Sequence, residues 1–291
     1  MVTQNKLPEF RGKALIEVPR NIPQADFLKD DFGKAVFEEY QGRAGQDYKG
    51  IKALGVLSYS DGVVTGSNAF SAVLLNQILR PEGLRTANPA DLENILRSGA
   101  LDLKGTYEDS ALVLRSEDGP EQYLARSLNA QLKERLGKKL KLPVMIPYAG
   151  LDLTKDDQSK YGLQFRLRED AEVIYAPILN QKSGQNFSSE DIDVKTGLPA
   201  KLGKGNRTLY TRPTGLSRLL LDRDLDLDSG WDDDGLSSSG GYGRVVVVGG
   251  SGEAASQNLG KYTAQLKAAK EEYHAKLSAL QTSIDAELKS K

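Results

Sequence analysis

Near the C-terminal end of this 291-residue chain, two apolar pieces enclose about twenty residues that look almost arbitrary. The first piece is Gly215-Leu216-Ser217-Arg218-Leu219-Leu220-Leu221, and the second is Gly243-Arg244-Val245-Val246-Val247-Val248. Short leucine- or valine-rich runs bounded by turn residues read as buried strands. The residues between them, rich in Asp, Ser and Gly, must then cross the surface as a connection held at both ends.

That connection uses a restricted set of residues. From Leu221 to Tyr242 every charged residue is Asp or Arg. No Lys occurs between Lys204 and Lys261, no Glu between Glu190 and Glu253, and no Gln between Gln185 and Gln257. Solubility alone would have drawn on Lys and Glu, which are plentiful elsewhere. Randomising the adenines of AAC or AAT codons yields Asn, Asp, Tyr, His, Ser, Gly, Arg, Leu and Val, but never Lys, Glu, Gln, Met or Trp. Every residue from Leu221 to Tyr242 obeys that rule except Trp231, which would be a fixed position. The plainer reading is a low-complexity acidic loop.

The Gly-Leu-x-Arg-Leu start, the spaced Leu225 and Leu236, and the closing Gly243 to Val248 resemble the variable region of diversity-generating retroelement variable proteins. Residues 51–205 are similar to the body of archaeal and candidate-phyla members, especially around Lys52-Ala53-Leu54-Gly55-Val56-Leu57-Ser58-Tyr59-Ser60. The closing Gly-Arg-Val-Val departs from the family's Gly-Phe-Arg-Val-Val strand by lacking the aromatic. The resemblance implies an α+β C-type-lectin-like fold of the formylglycine-generating-enzyme subtype, with antiparallel sheets and packed helices. It places that domain at 51–250, with a variable region at about 215–248 and an N-terminal extension at 1–50.

On this reading the roles of the variable segment separate. Leu216, Leu219 or Leu220, Leu225, Leu227, Leu236 and Val245 to Val248 are expected to be buried. Asp222, Arg223, Asp224, Asp226, Asp228, Gly230, Trp231, Asp232, Asp233, Ser238, Gly240, Gly241 and Tyr242 are expected to form the exposed ligand-binding face. Asp222 to Asp234 holds seven Asp and one Arg, so the expected ligand is a protein with a basic surface. The competing class is a structural virion or cell-surface component, joined through its C-terminal helix and carrying a calcium-binding acidic loop.

Calcium has a weak sequence case. Counting from Asp224, Ser229 stands where the helix-loop-helix site has its glycine, and Gly235 where it has its bidentate Glu. A looser site in the loop stays open, and no other cofactor is expected.

Catalysis finds no support. The chain has no Cys, so the formylglycine-generating activity cannot accompany the resemblance, and the lone His274 lies in a Lys- and Glu-rich stretch. Asp31-Phe32-Gly33 has no kinase partners, and Gly250-Ser251-Gly252-Glu253-Ala254-Ala255 has no following strand to complete a dinucleotide site. A formal charge of −1 argues against a nucleic-acid footprint. No apolar run reaches the roughly 18 residues of a membrane span, and Met1 to Arg20 lacks a signal-peptide core, so synthesis in the cytoplasm is expected.

Elsewhere the pattern predicts helices over 30–40, over 67–80 capped by Ser67, from Asn88-Pro89 to Gly99, and from Pro120 to Gly137. Strands are predicted over 51–59, 107–115 and 142–146, with a hairpin of 161–168 on 171–176. Leu259, Tyr262, Leu266, Ala269, Tyr273, Leu277, Leu280, Ile284 and Leu288 predict an amphipathic helix about 45 Å long. Packing on the body and self-association through 254–288 are both open.

Overall fold

The computed structural model describes residues 9–10, 13–14, 25–230 and 235–249. Its elements begin with a hairpin of β1 (Glu9–Phe10) and β2 (Lys13–Ala14), then β3 (Ala25–Phe27) and α1 (Asp30–Gln46). A second hairpin, β4 (Ser58–Ser60) and β5 (Val63–Thr65), turns on Asp61-Gly62. Next come α2 (Ala69–Leu79), β6 (Leu84–Thr86), α3 (Pro89–Ser98), β7 (Glu108–Leu114) and α4 (Gln122–Leu136). The chain continues through β8 (Val144–Pro147), β9 (Leu151–Lys155), β10 (Leu163–Leu167), β11 (Ile174–Tyr175), β12 (Gln185–Phe187), β13 (Ile192–Asp193) and β14 (Leu198–Pro199). It closes with β15 (Arg207–Tyr210), β16 (Leu216–Leu221), β17 (Leu227–Asp228) and β18 (Val246–Gly249).

The architecture is mixed α+β. The main sheet has the order β11-β8-β7-β16-β17-β15-β12 and is antiparallel except between β15 and β17. Its two central strands are buried on both faces, which is why they read as continuous apolar runs. Period-two alternation sends Leu112 and Leu114 of β7 into one hydrophobic core and Ala111 and Val113 into another. A bulge between Leu219 and Leu220 breaks the register of β16 against β7 just before the first loop of interest. β18 sits between β3 and β6 in a three-stranded sheet, with Val245 and Val247 in the first core and Val246 and Val248 in the second.

Helix α2 is buried almost all round, as a helix without a polar face must be. Its cap is Asn68, not Ser67: Asn68 Oδ1 accepts the Ser71 amide at 2.8 Å, and Ser71 Oγ returns the bond. The Ser67 amide is turned to Ser239 instead. α3 matches its sequence signals, with Asn88 as N-cap, Pro89 at the first position and Gly99 left-handed at the end.

Three further expectations need correction. Residues 51–59 are not one strand. Lys52 to Leu54 form a tight helical turn that buries Ala53 and Leu54 consecutively, which an alternating strand cannot do. Leu163–Leu167 pairs with Leu151–Lys155 rather than with 171–176, and Ile174–Tyr175 pairs with Val144–Met145. Chelation of Asp170 by Arg168 sets the local turn without bringing the flanking strands together. Residues 25–50 are also no appendage, because Leu28, Val36 and Tyr40 belong to the first core and Tyr40 Oη donates to Leu54 O at 2.8 Å. The expected helix over 254–288 lies outside the described residues. Among the described residues, no helix is long and apolar enough to cross a membrane.

Candidate binding face

Between β16 and β18 the described chain forms two surface loops on either side of β17. The first, Asp222 to Asp226, is a tight turn held from within and below. Asp222 Oδ1 accepts the amides of Asp224 and Asp226, each at 2.9 Å, and the Asp222 amide donates to Asp226 O. Half-burial pushes the Asp222 carboxyl above its ordinary range, its own amide bonds opposing and the Asp226 and Asp224 charges adding. Asp226 Oδ1 accepts the Thr208 amide at 2.5 Å. Leu225 stands at φ 69, and Arg207 Nε donates to its carbonyl at 2.5 Å.

Arg207 is itself fixed. It makes a bidentate, buried pair with Glu93 at 2.8 and 2.6 Å and stacks over the Phe187 ring.

The second loop, Leu236 to Tyr242, is held differently. Leu236 O accepts the Ala69 amide, Ser237 O accepts Asn68 Nδ2 at 2.9 Å, and Ser238 O accepts Arg218 Nη1 at 2.9 Å. The Gly240 amide donates to Tyr107 Oη at 2.8 Å, which in turn donates to Ser67 O at 3.0 Å. Tyr242 O accepts the Tyr107 amide, and the Arg244 amide donates to Tyr107 O. All these bonds use main-chain atoms of the loop. The exception is Ser239, whose Oγ accepts the Ser67 amide at 3.0 Å.

Between the loops, the Gly105 amide donates to Arg223 O at 2.8 Å, so residues 105–107 brace both from beneath. Above that brace, the Arg223 guanidinium lies 3.9 Å from the centre of the Tyr242 ring, which is 55% exposed.

The apolar expectations hold for Leu216, Leu219, Leu220, Leu227, Leu236 and Val245 to Val248, all buried, while Leu225 is half-buried. Arg223, Asp224, Gly240, Gly241 and Tyr242 are exposed and Ser238 is half-buried, with Arg223 and Tyr242 bringing the two loops into contact. Asp228 is corrected: it is only 7% exposed, and its Oδ1 accepts the Gly230 amide at 2.8 Å. Gly230 is half-buried, and a Cβ there would meet the Thr211 carbonyl oxygen at 2.8 Å and its amide at 2.9 Å. At Gly241, by contrast, nothing lies within 4 Å. Trp231, Asp232 and Asp233 lie outside the described residues. Among the described residues, no group of three or more His, Asp or Glu side chains is placed to hold a metal ion.

Sequence reasoning missed the residues that hold the loops: Tyr107, Asn68, Arg218, Arg207 and Glu93. It also missed two consecutive buried acids beneath them. Asp109 lies 3.4 Å from Arg218, and burial raises its pKa. Glu108 accepts from Thr106 at 2.6 Å through one oxygen, while the other has no partner. Burial pushes its pKa up to about 8; Thr106 opposes the shift, Asp109 adds to it and Arg244 opposes it. The chain matches no known protein family, no curated protein and no solved structure.

Proposed function

We propose that this protein binds a ligand through a surface diversified by a retroelement and carried on a C-type-lectin-like scaffold. The observation that carries this reading is the anchoring of the second loop by its main chain. A loop held through its own carbonyls and amides keeps its path whatever side chains it bears, so those side chains can change without unfolding the domain. The restricted residue set supplies the genetic half of the reading, and the exposed Tyr-Gly-Gly-Ser content resembles what adaptable paratopes use.

The first loop carries less freedom, because the carboxylates of Asp222 and Asp226 are spent on the backbone. Diversity is therefore concentrated at Arg223, Asp224, Ser238, Gly240, Gly241 and Tyr242. No catalytic role is proposed. The seven aspartates that the sequence carries from Asp222 to Asp234 point to a protein with a basic patch as the partner class, and its affinity should fall with salt.

The test is a set of chains in which Ser238, Gly241 and Tyr242 are replaced together by Asn, Asp, His or Arg. Their thermal melts should stay within about 0.5 kcal/mol per site of the parent. Sequencing the gene's neighbourhood should reveal a reverse transcriptase and a near-copy of the codons for 215–248. If these replacements collapse the fold, or the near-copy is missing from the complete genome, the reading fails.

A further inference from the structure

Beneath the two loops β7 begins with Glu108, a buried acid whose Oε2 has no partner among the described residues. Its other oxygen lies 2.6 Å from Thr106 Oγ1, and Thr106 Oγ1 lies 2.9 Å from Leu103 O. A hydroxyl has one proton to give and a carbonyl has none. Both contacts are hydrogen bonds together only when the proton between Glu108 and Thr106 comes from Glu108. The neutral acid then donates to Thr106, and Thr106 donates to Leu103 O. Ionisation reverses the chain: Thr106 turns its proton to the carboxylate, and Leu103 O keeps only the Thr106 amide at 3.3 Å.

The surroundings favour the neutral acid. A cavity of about 10 Å³ beside Glu108 has room for about one water molecule, too little to hydrate a carboxylate. Two charged side chains face Glu108 there, Asp109 from its own strand and Arg244 from the entry to β18. Asp109 repels a charge on Glu108 and is itself bound to Arg218 of β16. Arg244 attracts one, but its Nη1 already donates to Gly241 O at 2.9 Å and Gly243 O at 2.8 Å. From α2 and β6 the cavity receives uncharged residues, Ala72 and Thr86, and Arg85 of β6 is paired with Asp91. Asp222, beyond the end of β16, spends its carboxylate on its own turn.

The turn that this proton sets is the one that carries the face. On one side of Thr106 the Gly105 amide holds Arg223 O at 2.8 Å, and on the other the Tyr107 amide holds Tyr242 O at 3.2 Å.

We propose that Glu108 is a proton switch for the face: as the neutral acid it fixes the 103–107 turn that grips both loops, and ionising it loosens that grip. The ionised form acts twice, by withdrawing the Thr106 proton from Leu103 O and by competing for the Arg244 guanidinium that ties Gly241 and Gly243. That a ligand is released as the loops loosen rests on reading them as the binding face; the loosening itself does not.

The experiment uses the full chain without a ligand. The Glu108 carboxyl carbon is followed by NMR between pH 6 and 9, together with amide exchange at Gly105, Tyr107 and, as reference, Val113, each corrected for the intrinsic pH dependence of exchange. The carboxyl should be neutral at pH 6 and titrate near pH 8. Over the same range protection at Gly105 and Tyr107 should fall about tenfold while Val113 is unchanged, the scale of one hydrogen bond lost locally. Glu108→Gln keeps a donor to Thr106, so its protection at both amides should stay at the low-pH value throughout.

An ionised carboxyl at pH 6 would overturn the proposal, as would a titration that leaves Gly105 and Tyr107 unchanged. An equal fall in Glu108→Gln would assign the effect to another group and overturn it too. If Glu108→Gln fails to fold, the wild-type carboxyl and amide profiles still decide. None of these outcomes bears on whether the loops are diversified, and loss of that reading would leave the switch in place.

Discussion

At the scale of single residues, the acidic vocabulary conceals two kinds of aspartate. Asp224 faces solvent and its carboxylate makes no bond among the described residues, whereas Asp222 ties two amides of its own turn. Asn keeps the Oδ1 acceptor, so Asp222→Asn should melt like the parent, while Asp222→Val should cost about 1–3 kcal/mol by orphaning those amides. Urea unfolding of the two variants side by side checks this.

Glu108 makes a pH prediction. Its folded pKa, raised to about 8, lies above the unfolded value near 4.5, so the folded state holds the proton more tightly. The stability it contributes is full at low pH, declines as pH rises from about 4.5 to about 8, and is level beyond. Glu108→Gln should remove that decline from a stability profile taken between pH 5 and 9. A profile unchanged by the substitution would mean the buried carboxyl does not titrate in this window.

At the scale of elements, the two loops are held by opposite means. The first hangs from Arg207, and Arg207 depends on Glu93 of α3. Glu93→Ala leaves a buried guanidinium unpaired and should cost about 3–5 kcal/mol in chemical denaturation. Leu225 at φ 69 is a position where a β-branched side chain is strained, so Leu225→Val should cost about 1–2 kcal/mol although valine is within the codon set. The second loop hangs from Tyr107. Tyr107→Phe removes the acceptor of the Gly240 amide and the donor to Ser67 O, so amide exchange at Gly240 should quicken while β7 stays protected.

At the scale of the whole molecule, β18 lies between β3 and β6, and among the described residues the last core strand ends at Gly249. Removing residues 253–291 should therefore leave a cooperative thermal transition. A non-cooperative melt would show that the C-terminal segment belongs to the core. Removing residues 25–50 should abolish folding, because Leu28, Val36 and Tyr40 fill the core beside α2.

The sequence by itself determined what depends on short-range periodicity and capping. It marked α3 from Asn88 to Gly99, the four-residue leucine spacing of α4, and the buried strands Glu108–Leu114, Leu216–Leu221 and Val246–Gly249. The resemblance to a variable region also marked Leu236 as a buried point within an exposed segment, and it is 1% exposed. Pairing was left to the tertiary structure. Leu163–Leu167 has the same alternation whichever neighbour it meets, and only packing against α4 and Leu151–Lys155 selects one. The separation of structural from free aspartates was hidden for the same reason. Asp222, Asp224 and Asp228 are identical in composition, and they differ only in whether a backbone amide, a buried strand end or water surrounds the carboxylate. The side chains of Tyr107 and Arg207 hold groups from 18 to 133 residues away, and no local pattern records contacts made across such separations.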